Sequence, residues 1–131
     1  MGERIHTLSK FNGTVGKLHN DRGSVLEMSG KSGAFAAYEL LLGALSHCLW
    51  ATYYSIAQKM QLQYGEVDLD ITGIKRDEKV ATLETVDIIV TASDIEDRDK
   101  FEKAFEIATR YCSTYQTINQ VAKMNWSVKY R

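Results

Sequence analysis

Cys48 and Cys112 are the side chains of this sequence best placed to do chemistry, and they are its only cysteines. Two cysteines are too few for a disulfide scaffold, and their separation is not that of zinc ligands. Thiol chemistry needs the thiolate, and a thiol with a reference pKa of about 8.5 is mostly protonated at neutral pH. Burial of Cys48 in an apolar helix would raise that pKa further, so a positive group must offset the desolvation. An arginine does so without losing its own charge. On residues alone, either cysteine could equally be a small apolar core side chain. His47 neighbours Cys48 but points about 100° away on a helix, which favours a core or interface histidine over a catalytic base. Glu39 lies nine residues before Cys48, on the opposite helix face and about 13 Å away along the axis. Within one straight helix the two cannot share a site, and a carboxylate so near the helix start also favours the helix dipole.

The element that must position Cys48 is the stretch from Phe35 to Gln61. Between Glu39 and Lys59 it has no Asp, Glu, Lys or Arg, and its titratable groups are His47, Cys48, Tyr53 and Tyr54. A segment this long and uncharged must be surrounded by protein on most sides. A membrane span is disfavoured, because Ser46, His47, Thr52, Tyr53, Tyr54, Ser55 and Gln58 interrupt the apolar run. Helices buried all round belong to large proteins, and 131 residues make a small one. Burial by a second copy of the chain resolves the conflict, and an obligate homodimer is expected. Trp50, Tyr53 and Tyr54 read as packing, although an aromatic pocket would suit an apolar ligand.

Around this helix the pattern is that of an α+β domain. Arg4–Phe11 reads as a strand, and Asn12-Gly13 signals a two-residue hairpin into Thr14–His19. Asn20–Gly23 forms a turn, Ser24–Met28 a short strand, and Ser29–Gly33 a flexible connector that lacks Walker spacing. Alternation of Val67, Leu69 and Ile71 with polar residues predicts a strand. A charged turn at Arg76–Lys79 leads to a partner strand over Val80–Thr91, which predicts an antiparallel sheet. Ser93 and Glu96 suggest a capping box for a helix whose apolar face carries Phe101, Ala104, Phe105, Ala108, Tyr111 and Cys112. Another turn or two of helix fits Ser113–Ala122, and Met124, Trp126, Val128 and Tyr130 alternate in a last strand.

Sixteen basic residues against seventeen acidic ones leave a formal net charge of −1, which gives no electrostatic footprint for nucleic acid or an anionic membrane. The N-terminus MGERIHTLSKFNG has no apolar signal region, so a cytoplasmic location and resting thiols are expected. One domain spanning residues 1–131 is expected, and without proline no rigid linker divides it.

This order of elements, with one cysteine inside a buried helix and another at the end of an amphipathic helix, resembles the OsmC/Ohr family of osmotically induced and organic hydroperoxide resistance proteins. The resemblance runs from about Ser24 onward. It rests on Glu39-Leu40-Leu41 with Ala44-Leu45-Ser46-His47-Cys48, and on Ala108-Thr109-Arg110-Tyr111-Cys112-Ser113. It implies antiparallel sheets wrapped around a long buried central helix in an intertwined dimer. The implied activity is that of a thiol peroxidase for small organic hydroperoxides, re-reduced by a dithiol such as a lipoylated protein. No metal, haem or flavin is implied. By position Cys48 would be peroxidatic, Cys112 resolving, and Glu39 the carboxylate of the site. An arginine from the N-terminal strands, Arg22 or Arg4, would complete it, held in place by Glu39. The sequence departs from the family at Tyr38, where Pro often precedes the glutamate, and at Ser113, where Pro often follows the second cysteine. The alternative is a non-catalytic stress-response or apolar-ligand-binding dimer of the same fold with structural cysteines.

Overall fold

The structure, a computed structural model, describes residues 2–131. It divides into two compact units, the first ending at Leu41 and the second running from Leu42 to Arg131.

The first unit is an antiparallel sheet in the order β1 (Thr7–Asn12), β2 (Val15–Asn20), β3 (Val25–Met28). Its first turn lies one residue later than the sequence signal suggested. Asn12 pairs with Val15, leaving Gly13-Thr14 as the loop. Only Gly13 has a positive φ there, +63°, which fits the hairpin turn that places Gly first and suits the strand twist. Across the strands Phe11 faces Gly16, and a Cβ at Gly16 would sit 2.7 Å from the Phe11 ring. In the second turn the Asn20 side chain accepts from the backbone N–H groups of Arg22 and Ser24, each at 3.0 Å.

The central helix, α1, spans Ala37–Lys59. The Glu39 carboxylate accepts the Ala36 N–H at 2.7 Å, which is half of a capping box and ties off the first turn. At the other end Gln61 adopts φ 55°, and the N–H groups of Gln61 and Leu62 reach the carbonyls of Gln58 and Ala57. That is the bond pair of a Schellman cap, with glutamine in the left-handed position. By length and composition α1 could cross a membrane, but Leu45, Leu49, Tyr53 and Ala57 form a buried stripe at four-residue spacing. The rest of the helix is half-buried or exposed in the single chain, so burial covers one stripe and not most sides.

In the second unit β4 (Val67–Lys75) and β5 (Leu83–Ala92) are antiparallel, while β6 (Lys123–Tyr130) lies parallel to β5. The sheet is therefore mixed, not purely antiparallel. The cause is the crossover between β5 and β6, which is long enough to return the chain in the same direction because it holds two helices. These are α2 (Arg98–Tyr111) and α3 (Ser113–Asn119). Leu83, Val86, Ile88, Val90 and Ala92 of β5 are buried at alternate positions. Tyr53 packs on Phe101 and Phe105, with ring centroids 5.1 and 5.8 Å away, and Phe105 packs on Trp126 at 5.1 Å.

Two local readings are corrected here. Asp97, not Ser93, caps α2 by accepting the Lys100 N–H at 3.1 Å. The Ser93 hydroxyl instead accepts the Glu66 N–H at 2.9 Å and joins the ends of β4 and β5. Arg76 is not part of a solvated charged turn: its guanidinium donates to Thr82 Oγ1 at 3.0 Å, to the Val121 carbonyl at 2.9 Å and to the Leu83 carbonyl.

Candidate active site

The two cysteines meet within the second unit. Cys48 stands beside the buried stripe of α1 and is half-buried, whereas Cys112 is fully buried. Cys112 occupies the break between α2 and α3, in extended backbone with φ −75° and ψ 113°. Its N–H makes the last bond of α2, to the Ala108 carbonyl at 2.8 Å, and its sulfur accepts the Tyr115 N–H at 3.4 Å as the cap of α3. The second half of the crossover thus begins at the thiol itself. Both thiols are free, and the Cys112 S–H donates to Cys48 Sγ across 3.2 Å.

The surroundings divide the roles of the two sulfurs. Burial raises the Cys48 pKa, but the Thr114 hydroxyl and backbone N–H, the Cys112 thiol and the Ser113 hydroxyl outweigh it and bring the value down to about 7. Ser113 Oγ lies 3.9 Å from the sulfur. Burial pushes the Cys112 thiol up to about 11, against the pull of the Tyr115 N–H, and the adjacent Cys48 raises it further. Near neutral pH the pair is therefore one nucleophilic sulfur beside one protonated thiol that hydrogen-bonds to it. Within the single chain these neutral donors oppose the effect of burial on Cys48. Only Ser113 had drawn notice in the sequence, and then as a missing proline. Proline suits the first helical position because its absent N–H is not needed there, and Ser113, first residue of α3, adds a hydroxyl instead. Thr114 went unread, although two hydroxyl residues directly after a cysteine were a visible signal.

The remaining candidates are taken within the unit to which each belongs. Glu39 is exposed and belongs to the first unit, where it caps α1. Arg4 and Arg22 line one depression of that unit, together with His6 and Asp21, whose side chains hydrogen-bond at 2.8 Å. His47 is exposed and not a core residue, two positions on from Leu45 and so turned off the buried stripe; it borders a shallow depression with Trp50 and Asp68. Tyr53 is buried as packing, stacked on Trp50 at 5.5 Å, while Tyr54 is exposed. Tyr111 is 72% exposed and leaves the apolar face of α2. Among the described residues no three His, Cys, Asp or Glu side chains are grouped to hold a metal ion.

Alkylation of the reduced protein by iodoacetamide should modify one thiol per chain, Cys48, with a rate that rises through a midpoint near pH 7. The sign follows from the depressed pKa: the reactive anion is lost only as the pH falls through that midpoint. A midpoint at about 8.5, the value of an ordinary thiol, would contradict the hydrogen-bonding arrangement.

The sequence profile of the family described as OsmC-like protein matches residues 30–127. No match was found among curated proteins. An OsmC-like protein from Mycoplasma pneumoniae superposes with a TM-score of 0.89 at 14% identity, over 99% of both chains. A hypothetical protein from Aquifex aeolicus superposes at 0.83 with 20% identity, again over 99% of both chains. An organic hydroperoxide resistance protein from Elizabethkingia anophelis superposes at 0.78 with 16% identity, over 100% of this chain and 99% of the other. At these identities the structures speak for the fold. The profile, spanning α1, both cysteines and most of β6, covers well over half of the sequence, and the chain therefore belongs to the OsmC family.

Proposed function

We propose that this protein is a thiol peroxidase that reduces organic hydroperoxides, with Cys48 as the peroxidatic and Cys112 as the resolving cysteine. The observation that carries the reading is the 3.2 Å approach of the two sulfurs, of which the partly exposed one has its thiolate favoured. Three solved relatives of this fold are organic hydroperoxide resistance proteins by name.

The chemistry runs in three balanced steps. The Cys48 thiolate attacks the terminal peroxide oxygen, the O–O bond breaks, and the alkoxide takes a proton to leave as the alcohol, with Cys48 oxidised to sulfenic acid. The Cys112 sulfur then attacks the Cys48 sulfur, and the sulfenic oxygen leaves as water with the thiol proton. Finally an external dithiol, such as that of a lipoylated protein, exchanges with the disulfide and is itself oxidised to a cyclic disulfide. The high pKa of Cys112 suits the second step, because the thiol keeps the proton that the departing oxygen needs. In this reading Glu39 holds an arginine, Arg22 or Arg4, near the peroxide oxygens.

We further propose that the working form is a cytoplasmic homodimer. Its support is the apolar surface that a single chain leaves open. In the first unit Leu8, Phe11 and Val25 are 50%, 66% and 52% exposed, and α1 is buried along one stripe only. Scattered exposed apolar side chains are ordinary, but several on one small sheet point to a covering partner.

Two measurements bear on these readings. Cys48→Ser should abolish hydroperoxide consumption, whereas Cys112→Ser should still consume one equivalent and stop at the sulfenic acid. Retained turnover in the first variant, or an intact disulfide yield in the second, would sink the mechanism. Sedimentation at micromolar concentration should show a dimer, and a stable folded monomer would overturn the burial argument.

A further inference from the structure

The break between α2 and α3 falls where no helix-breaking residue demands it. Residues 98–119 contain neither proline nor glycine, the residues that most often end or kink a helix. Cys112 alone leaves helical backbone there, at φ −75° and ψ 113°. The hydrogen bonds around it show what holds the turn. The Cys112 N–H still reaches the Ala108 carbonyl at 2.8 Å. The next carbonyl, that of Thr109, would take the Ser113 N–H if α2 ran on, since each helical carbonyl accepts from the fourth residue after it. It takes the Gln116 side-chain amide instead, at 3.0 Å. Thr109 is buried, so its carbonyl left without a partner would be costly. Beyond the break the Gln116 N–H takes the Cys112 carbonyl at 3.0 Å, and the Tyr115 N–H takes the Cys112 sulfur at 3.4 Å.

We propose that Gln116 is a positioning residue for the thiol pair: its side-chain amide takes the place of the Ser113 N–H on the Thr109 carbonyl, and so holds the α2–α3 break at Cys112. With that carbonyl satisfied, α2 gains no hydrogen bond by running on through Cys112. Both helices are anchored by buried side chains, Phe105 and Ala108 on α2, Tyr115 and Ile118 on α3. Straightening would carry the Cys112 ψ from 113° to the helical value of about −42°, and the two sets could not both stay seated. The thiol between them would then lose its fixed place 3.2 Å from Cys48. Gln116 acts through the backbone, by setting how often Cys112 stands within reach of Cys48. The inference rests on the peroxidase reading for its purpose, but the positioning itself is measurable without any peroxide.

The test equilibrates the reduced full-length chain with glutathione redox buffers, traps the thiols with an alkylating agent, and reads the disulfide fraction by mass. Oxidised glutathione takes two electrons and two protons from Cys48 and Cys112, which join as a disulfide, and leaves as two molecules of reduced glutathione. Gln116→Met keeps the length and the helix propensity of the side chain and removes the donor. It should lower the equilibrium constant for the internal disulfide about tenfold, the equivalent of one buried hydrogen bond. A residue that merely stabilises the fold would lower the unfolding temperature and leave this constant in place. Ser113→Pro supplies the rescue, because proline has no N–H to offer Thr109 and holds the residue before it in extended backbone. Added to Gln116→Met, it should return the constant to that of Ser113→Ala, which shares the lost hydroxyl. An unchanged constant in Gln116→Met would overturn the proposal. A lowered constant that Ser113→Pro does not restore would overturn it too, by showing that Gln116 acts by a route other than the break. If the constants move as expected while the parent chain reduces no hydroperoxide, the functional reading fails and this inference stands.

Discussion

The contact on which everything else depends is the 3.2 Å approach of Cys48 and Cys112, two sulfurs 64 residues apart in sequence. It requires α1 to lie against the α2–α3 crossover at a fixed height, and the aromatic core supplies that height. Tyr53, a little more than one turn after Cys48, is wedged on Phe101 and Phe105, and Phe105 rests on Trp126 of β6. Removing a buried ring of this kind costs about 3–5 kcal/mol, so the relative placement of the two helices is firmly held. The sulfurs are then brought together by packing, before any bond between them forms.

Chain geometry adds polarity to this placement. A helix running unbroken through Cys112 would bury its thiol among apolar neighbours and offer Cys48 nothing. The break at Cys112 makes that residue the end of one helix and the cap of the next, and its sulfur takes the Tyr115 N–H. The same turn brings the Ser113 hydroxyl to within 3.9 Å of Cys48. One sulfur is thereby surrounded by donors and the other kept protonated, which is the division of labour that two-thiol chemistry needs.

Much of this was legible in the residues. The uncharged stretch marked α1, strict alternation marked β4 and β6, and the spacing of Phe101, Ala104, Phe105 and Ala108 marked the buried face of α2. What failed were features decided by tertiary context. The direction of β6 depends on how far the crossover carries the chain, which periodicity does not encode. Asp97 displaced Ser93 as the cap because Ser93 was needed to join two strand ends. At the site, apolar patterning located both cysteines, and the expectation of a cation followed soundly from desolvation. The neutral donors at the α2–α3 junction were not legible there, because hydrogen-bond partners distant in sequence leave no periodic trace.

The central claim is that the paired sulfurs form a working redox couple. Its most direct test mixes the reduced protein with one equivalent of an organic hydroperoxide, follows the rate of thiol loss, and maps the product by peptide mass. The account predicts that both thiols vanish into a Cys48–Cys112 disulfide far faster than a simple free thiol would react. Thiol loss no faster than that of a simple thiol would contradict it, and would make the cysteines a structural pair in a binding protein of the same fold.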